Sequence, residues 1–345
     1  MKKDNQAPSR LVKREVKKKQ RNKKLIISLV VPIVLLFLLI ISYGVSVFFK
    51  AQQVVDNSFE SDGRDGGSEL REDEIDPNVD NVSILFIGVD QGGTRGNSGH
   101  GLSDALILAT LNKEENSVKL LSIPRDSYVY VPERDRYTKI NHAHSYGGAK
   151  ATIETVENLL EVPIDYFVRI NFDAFIDIVN TLNGVKVDVP YEIKEMDSND
   201  TKGAIHLLPG EQWLNGEEAL AFARTRKKDN DIERGKRQQQ LISAMVDRAV
   251  SINTLFNIES LMTAVGDNMS TSMNFKDIVS FTNYGLKGNL KIESLNLEGS
   301  DLWTDAYYFQ IDEQSLAETK QILQEHLGLT SPASAYSTED SDDNL

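Results

Sequence analysis

The sequence predicts an α/β fold: a single extracytoplasmic domain with a central mixed β-sheet flanked by helices, preceded by one N-terminal transmembrane helix. Three observations lead to this prediction. Over residues 81–330, apolar runs of strand length alternate with segments of helical spacing, as in a sheet with helices on both faces. Residues 25–49 contain no charged residue. The segments that flank the domain, residues 50–80 and 331–345, are polar and acidic.

The apolar segment at residues 25–49 is long enough to cross a bilayer, for which about 20 residues suffice. A cleavable signal peptide is the alternative, but its apolar region would run only about 7–15 residues and end at a small-residue cleavage site. Residues 1–24 contain eleven Lys and Arg and two acidic residues, so the positive-inside rule places them in the cytoplasm. We expect a single-pass anchor with the rest of the chain outside the cell.

The two flanking segments have too few apolar residues to pack, and we expect residues 50–80 to be a flexible linker and residues 331–345 a disordered tail.

The chain has a net charge of −14, and an acidic body of this kind repels nucleic acid. The absence of cysteine excludes disulfides, thiolate nucleophiles and thiolate metal sites.

Hydrophobic periodicity predicts the elements of the domain in order. Short apolar runs bounded by turn residues predict strands at 82–89, 105–111, 118–123, 166–170, 185–189 and 292–297. Helical spacing predicts helices at 149–160, 172–182, 217–223, 233–250 and 315–327. In open sheets of this class, ligands bind at the carboxyl ends of strands, so the charged residues there are the candidates for chemistry.

Three predicted strand ends carry charge. Asp90 closes the first strand, Asp104 opens the second, and Arg125 and Asp126 follow the third. Adjacent strands could bring Asp90 and Asp104 together, and two carboxylates without cysteine favour a hard cation, magnesium with manganese as the alternative. The competing interpretation makes both Asp residues turn formers, which Asp often is at strand ends.

The most basic stretch of the acidic body is residues 222–240, with seven Lys and Arg against three acids. Arg224 and Arg226 are two positions apart, so they can serve one ligand only if the helix ends near Ala223 and the chain then extends. Several guanidiniums near a helix N-terminus form a site for a polyphosphate, because each offers a planar fork of donors. A solvated surface with ordinary ion pairs is the alternative.

The helix predicted at residues 233–250 begins polar and becomes apolar only after its second turn. Arg234, Arg237 and Gln238 share one face of it, and we expect that face to line a cleft. Asp231 precedes the helix, where it is an N-cap, a general base or a carboxylate that positions an arginine.

A polar run at residues 137–148 adds Lys139 and Asn141. His142 and His144 have a spacing that could ligate a metal from a strand, but no third ligand is near in sequence. We therefore expect structural or surface roles for both histidines.

The assembled motifs are Gly88-Val89-Asp90, Ser103-Asp104, Ile123-Pro124-Arg125-Asp126, Lys139-Ile140-Asn141, Gly147-Gly148, and Arg224-Thr225-Arg226 with Asp231, Arg234, Arg237, Gln238 and Gln239. With the basic N-terminus and the single apolar span, they resemble the LytR-CpsA-Psr family of Gram-positive bacteria over roughly residues 81–250. Members of that family attach anionic glycopolymers, such as wall teichoic acid, to peptidoglycan. The resemblance implies a protein of the cell membrane.

The same resemblance implies a phosphotransferase that takes the glycopolymer from an undecaprenyl pyrophosphate carrier. The 6-hydroxyl of N-acetylmuramic acid attacks the sugar-proximal phosphorus, and the lipid monophosphate leaves. It implies magnesium at Asp90 and Asp104, and pyrophosphate contacts from the arginines. The implied catalytic residues are Asp231, Arg125, Arg224 and Arg226, and the implied substrate-binding residues are Arg234, Arg237, Gln238, Lys139 and Asn141.

One residue departs from the family pattern. Leu102 stands where many relatives have Arg before Ser-Asp, so one phosphate contact is absent or comes from Arg95.

Two functions from other classes stay open, a membrane-anchored transcriptional attenuator and a wall-polymer-binding protein without turnover. Residues 1–24 are short and lack a helix-turn-helix pattern, so we expect no nucleic-acid partner. Hydrolysis of the pyrophosphate by water is a further side activity to test.

Overall fold

A computed structural model describes residues 42–64, 67–73, 75–90, 100–249, 268–286, 290–304 and 306–329. The chain divides into two units, Met1–Ala51 and Gln52–Leu345. The described residues of the first unit are helical. Within the described ranges, no helix is both long enough and apolar enough to cross a membrane. The predicted cytoplasmic segment, most of the predicted span and the predicted tail lie outside these ranges.

The second unit is a mixed α/β domain. Its described strands are β1 (Val82–Val89), β2 (Ser103–Asn112), β3 (Ser117–Ser122), β4 (Tyr128–Val131), β5 (Arg136–Lys139), β6 (Tyr166–Asn171), β7 (Val185–Val189), β8 (Ile193–Glu195), β9 (Ile205–Leu207), β10 (Gly210–Leu214), β11 (Met269–Thr271), β12 (Lys291–Asn296), β13 (Gly299–Trp303) and β14 (Tyr307–Ile311). The helices described in it after residue 58 are α1 (His142–Leu160), α2 (Phe172–Thr181), α3 (Gly216–Arg224), α4 (Asp231–Ala249), α5 (Phe275–Leu286) and α6 (Glu313–Leu327).

Six of the described strands form the central sheet, in the order β11-β6-β1-β2-β3-β12. β1 is parallel to β6 and β3 is parallel to β12, whereas β2 runs antiparallel to both β1 and β3. The carboxyl ends of β1, β3, β6 and β12 therefore meet at one edge of the sheet, where β2 begins. This is the edge at which ligands bind in sheets of this class.

Both faces of the sheet are covered by helices, as the sequence predicts. The side chains of β1 alternate, because successive residues of a strand point to opposite faces. Leu85 and Ile87 pack with apolar residues of α1 and α6. Ile84 packs on the other face, where Ile242 of α4 and Ile278 of α5 adjoin it.

The strand predicted at residues 185–189 forms, but outside the central sheet. β7 pairs with β10 in a separate two-stranded ribbon, and Val185, Val187 and Val189 pack with apolar residues of α2 and α3. Its buried residues alternate with exposed ones, which is typical of a strand with one solvated face. The other predicted strands and helices form with ends shifted by a few residues. The exception is α1, which starts seven residues before its predicted start, and whose backbone is non-helical at Gly147 and Gly148.

The segment predicted to be a flexible linker packs on the domain over much of its described length. Arg64 Nη1 lies 2.8 Å from Glu157 Oε1, and Arg64 Nη2 donates to the carbonyl of Ile164 at 2.6 Å. Arg71 Nη2 donates to Asp165 Oδ2 at 2.8 Å. Composition does not reveal these ion pairs, because the acidic partners stand 93 and 94 residues further along the chain.

His326 of α6 is buried against the sheet with both ring nitrogens occupied. Nδ1 lies 2.8 Å from Thr110 Oγ1, and Nε2 lies 2.8 Å from Ser117 Oγ. Burial lowers the pKa of His326 to about 4. The folded protein therefore holds this imidazole in its neutral form.

We expect His326 to make the fold less stable in mild acid. The unfolded histidine binds a proton below about pH 6.5, whereas the folded one stays neutral down to about pH 4. The contribution of buried His326 to the free energy of unfolding is therefore complete above about pH 6.5 and is lost as the pH falls from about 6.5 to about 4. Thermal unfolding of His326→Gln should show a shallower fall of Tm with pH than the wild type. The exposed His206→Gln is the control, and an unchanged slope in His326→Gln would contradict the assignment.

Candidate functional site

The site begins where β1 and β2 meet at the carboxyl edge of the sheet. Gly88 lies opposite Ala105, but Val89 lies opposite Ser103, so Asp104 is the extra residue of a β-bulge. A bulge re-aims a side chain and often does so beside a functional site. Asp90 follows Val89 directly, so Asp90 and Asp104 stand at the same end of neighbouring strands, as predicted.

Arg125 follows β3 at the same edge. Its Nη1 donates to Asp104 Oδ1, and its backbone N–H donates to Asp231 Oδ2 at 3.3 Å. Burial lowers the pKa of Arg125, but the charge and hydrogen bond of Asp104 and the charges of Asp126 and Asp231 outweigh burial and raise it overall. Arg125 is therefore held as a cation between carboxylates from three elements.

Asp126 is a central residue that sequence reasoning noted beside Arg125 without assigning it a role. Its carboxylate is buried and lies 2.7 Å from Lys139 Nζ, 3.7 Å from Arg125 Nε and 3.7 Å from Arg226 Nη1. A carboxylate among three cations fixes their positions relative to one another. The signal in the sequence was the Pro-Arg-Asp turn at a strand end.

Asp231 is the first residue of α4 and faces the same cluster. Arg234 Nη2 donates to its Oδ2 at 3.0 Å, and Arg226 Nη1 donates to its Oδ1 at 3.4 Å. Burial lowers the pKa of Arg234 to about 10, with Asp231 opposing the shift, so Arg234 keeps its charge at neutral pH. Arg226 is 41% exposed, which makes it the arginine of this pair that an arriving ligand can reach.

Arg224 stands at the end of α3, as its predicted role requires. Thr225 follows in an extended conformation, with ψ at 139°. The guanidinium of Arg224 stacks on Phe172, 4.9 Å from the ring centroid. Stacking uses the face of the guanidinium and leaves its in-plane donors available. In the described part of the chain it joins no carboxylate of the cluster, so a contact with substrate stays a prediction.

Arg237 and Gln238 lie apart from the cluster, contrary to expectation. Arg237 is buried, and its donors go to the carbonyls of Phe222 and Thr225 and to the carboxylate of Asp229. Gln238 Nε2 donates to the carbonyl of Ala223 at 3.3 Å. These bonds fasten α4 to the end of α3, and a substrate contact from either side chain stays a prediction.

Lys139 and Asn141 frame the opposite side of the cluster. Lys139 binds Asp126 and also lies near the rings of Tyr307 and Tyr308. Asn141 is buried, its N–H donates to the Arg125 carbonyl at 3.2 Å, and its carbonyl accepts the Ser103 N–H at 3.5 Å. Asn141 therefore aligns the turn that carries Arg125 with the start of β2.

Each histidine of the pair contacts a neighbouring protein group, and Nδ1 of His142 lies 2.8 Å from Thr138 Oγ1. His144 is buried, its Nδ1 lies 2.7 Å from the carbonyl of Gly101, and burial lowers its pKa to about 4. The described residues contain no group of three or more His, Cys, Asp or Glu side chains that could hold a metal ion. Leu102 is exposed at the edge of the site, and Arg95 lies outside the described ranges.

The arrangement has a clear chemical character. Four cations, Arg125, Lys139, Arg226 and Arg234, surround the carboxylates of Asp104, Asp126 and Asp231. The cluster lies at the carboxyl edge of a mixed sheet and beside the N-terminus of α4, where the helix dipole adds positive potential. Fold and site together define an α/β protein whose candidate site, at the carboxyl edge of its sheet, has the chemistry to accept a phosphorylated ligand.

The chain belongs to the LytR_cpsA_psr family, whose model matches residues 45–325. It is 38% identical over 291 residues to the polyisoprenyl-teichoic acid–peptidoglycan teichoic acid transferase TagT of Bacillus subtilis, covering 84% of this chain and 90% of the relative. It is similar in structure to TagT bound to LI-WTA, with a TM-score of 0.67, 40% identity and coverage of 77% and 98%. A structure of TagT with bound octaprenyl pyrophosphate lipid matches with a TM-score of 0.63, 38% identity and the same coverage. The resemblance inferred from the motifs is confirmed.

Proposed function

We propose that this protein is a transferase that moves an anionic glycopolymer of the teichoic acid class from a polyprenyl pyrophosphate carrier to peptidoglycan. The observation that carries the proposal is the cluster of Arg125, Arg226 and Arg234 around Asp231. Guanidiniums held by carboxylates are preorganised, so they can stabilise the charge that develops in phosphoryl transfer without moving. The names and lipid ligands of the relatives supply the substrate class.

In the proposed reaction, a hydroxyl of the acceptor sugar attacks the phosphorus that bears the glycopolymer. A new P–O bond forms, the bond to the bridging oxygen of the pyrophosphate breaks, and the polyprenyl monophosphate leaves. Asp231 accepts the hydroxyl proton as the new bond forms. Arg226, exposed beside Asp231, and Arg125, fixed by Asp104, bind the phosphate oxygens.

Asp90 and Asp104 fit a hard cation by their chemistry, since both are carboxylates at one sheet edge. Two further buried oxygens belong to this edge, Ser103 Oγ and Asn141 Oδ1, and neither has a hydrogen-bond partner within the described residues. We propose that the two Asp residues hold magnesium together with substrate phosphate oxygens, as magnesium sites commonly do. When bound, the ion would neutralise phosphate charge.

We also propose that residues 25–49 anchor the protein in the cell membrane with residues 1–24 in the cytoplasm. The lack of charge over residues 25–49 and the basic segment before them support this topology. A carrier with a polyprenyl tail is itself a membrane component, so an anchored domain meets its donor at the bilayer surface. The undecaprenyl form of the carrier is part of the proposal.

Replacing Arg226 by Ala tests the function directly. The full chain in detergent micelles would be given a lipid-pyrophosphate-linked disaccharide, peptidoglycan oligomers and magnesium. We expect the wild type to link sugar to glycan and Arg226→Ala to lose about 10²–10³-fold in kcat, as after removal of one oxyanion-binding donor. Because the side chain of Arg226 is 41% exposed, Tm should change little.

Lys227→Ala is the matched control for this experiment. Lys227 is the next cation along the chain, is 60% exposed and pairs with Glu195 at 3.1 Å, outside the cluster. It should leave kcat unchanged. Donor binding by the wild type without turnover would favour the polymer-binding alternative, and release of phosphate to water alone would indicate a pyrophosphatase.

A further inference from the structure

Two hairpins beside the arginine cluster join into one surface. The hairpin of β4 and β5 meets the hairpin of β13 and β14 where the N–H of Phe309 donates to the carbonyl of Asp126 at 2.8 Å. Val129 and Val131 of β4 point into the core. Because side chains of a strand alternate, Tyr128 and Tyr130 lie on the outer face.

The two hairpins carry six aromatic rings in two groups, which together we call the aromatic surface: Tyr128, Tyr130, Tyr137 and Tyr308 form one group, and Trp303 and Tyr307 form the other. The ring centroids of Tyr128 and Tyr308 are 4.9 Å apart and join the two hairpins. Those of Tyr128 and Tyr137, and of Tyr130 and Tyr137, are 5.6 Å apart, and those of Trp303 and Tyr307 are 5.1 Å apart. Trp303 is 73% exposed and Tyr137 is 61% exposed. Partly or fully exposed aromatic rings that cluster in one region commonly mark a binding surface.

Lys139 connects the aromatic surface to the arginine cluster. Its Nζ lies 2.7 Å from Asp126 Oδ1 and 5.7 and 5.8 Å from the ring centroids of Tyr307 and Tyr308. Asp126 in turn lies 3.7 Å from Arg226. A ligand that covers these rings therefore reaches toward the group formed by Arg226 and Asp231.

We propose that the aromatic surface binds the acceptor, a peptidoglycan glycan strand, and presents its sugar hydroxyl to Asp231. This inference rests on the proposed function. One face of a hexosamine ring presents C–H groups with partial positive charge, which pack against the negative face of an aromatic ring. The rings thus offer a stacking site for consecutive sugars of a chain.

Two exposed carboxylates favour the acceptor over the donor polymer as the occupant. Tyr307 donates its hydroxyl to Asp301 at 3.1 Å, and Tyr130 donates its hydroxyl to Asp135 at 2.7 Å. Carboxylates accept hydrogen bonds from sugar hydroxyls, which suits the uncharged sugar backbone of a glycan strand.

Fluorescence of Trp303 tests binding directly. The chain has two tryptophans, so the full-length Trp213→Phe variant in detergent micelles reports Trp303 alone. We expect a saturable change with muramic-acid-containing oligosaccharides whose lactyl carboxyls are capped as amides, and none with poly(glycerol phosphate). Adding Tyr137→Ala should weaken the apparent Kd about tenfold, the equivalent of about 1.4 kcal/mol. A response to the phosphate polymer instead of the glycan would overturn the proposal.

Transfer kinetics separate this inference from the proposed function. Trp303→Ala should raise the KM for the acceptor about tenfold and leave kcat and the KM for the lipid-linked donor unchanged. The exposed Trp213→Ala, on β10, is the control. Normal acceptor KM in Trp303→Ala and Tyr137→Ala would overturn the inference while the transferase stands. A wild type that binds glycan at Trp303 without transfer would support the aromatic surface and overturn the transferase.

Discussion

Replacing Asp231 by Asn should lower the rate of glycopolymer transfer about 10³-fold, within the range that general acid–base groups contribute. Asp231 is the carboxylate that touches both the exposed Arg226 and the buried Arg234. Asn keeps an oxygen that accepts the Arg234 hydrogen bond, so the helix start is preserved, but an amide oxygen is far too weak a base to take the hydroxyl proton. The loss should therefore appear in kcat.

Donor binding distinguishes this role from a merely structural one. The carboxylate of Asp231 and the pyrophosphate of the donor are both negative and repel each other. Removing the Asp231 charge should therefore not weaken binding of the lipid-linked pyrophosphate. We would measure kcat and donor Kd for the full chain, with Asp229→Asn as the matched control two residues away. Asp229 pairs with Arg237 instead, so its variant should lose stability more than turnover. A kcat within about tenfold of the wild type in Asp231→Asn would contradict proton transfer to this group.

The middle strands of the central sheet, β1, β2 and β3, follow from the sequence because most of their residues are buried. β1 reads V-S-I-L-F-I-G-V, and its bounds are those predicted. The hairpins of the aromatic surface escaped prediction, since their strands are only four or five residues long. For β7 the sequence specified a strand but not its partner, which depends on contacts with β10 more than twenty residues away.

The candidate site was predictable to the extent that strand ends determine it. Asp104, Arg125 and Asp231 converge as their positions in the sequence suggested. Helical spacing placed Arg234 and Arg237 on one face but could not say what lies opposite each of them. Arg234 meets Asp231, whereas Arg237 meets Asp229 and two backbone carbonyls. The group that faces each arginine in the folded chain, and not the helical spacing of the sequence, determines which arginine belongs to the cluster.

The carboxylate partners of the arginines explain how an acidic protein can hold several cations close together. The three arginines of the cluster have carboxylate partners that come from three elements: Asp104 from β2, Asp126 from the turn after β3 and Asp231 from α4. Such partners keep several guanidiniums close together in the absence of ligand, at the cost of desolvating both charges. A pyrophosphate that replaces some of these contacts meets donors that are already in position, which reduces the entropy lost on binding.

Replacing Arg237 by Ala should destabilise the fold by about 3–5 kcal/mol, the usual cost of removing one partner from a buried ion pair. Asp229 would keep its hydrogen bond from Tyr191, 2.6 Å away, but lose its charge partner. The carbonyls of Phe222 and Thr225 would lose their donors. Since these carbonyls belong to the last turn of α3 and to the residue that follows it, the start of α4 would also be less well fixed.

Urea unfolding of the full chain in detergent would measure this loss, with Arg226→Ala as the matched control. The two arginines are eleven positions apart, but Arg226 is 41% exposed and Arg237 is buried, so we expect stability to fall in Arg237→Ala and turnover to fall in Arg226→Ala. The double variant Arg237→Met with Asp229→Asn should recover part of the stability, because it leaves no unpaired buried charge. If Arg237→Ala instead unfolded like the wild type and weakened donor binding, Arg237 would contact substrate, as its position on the helix first suggested.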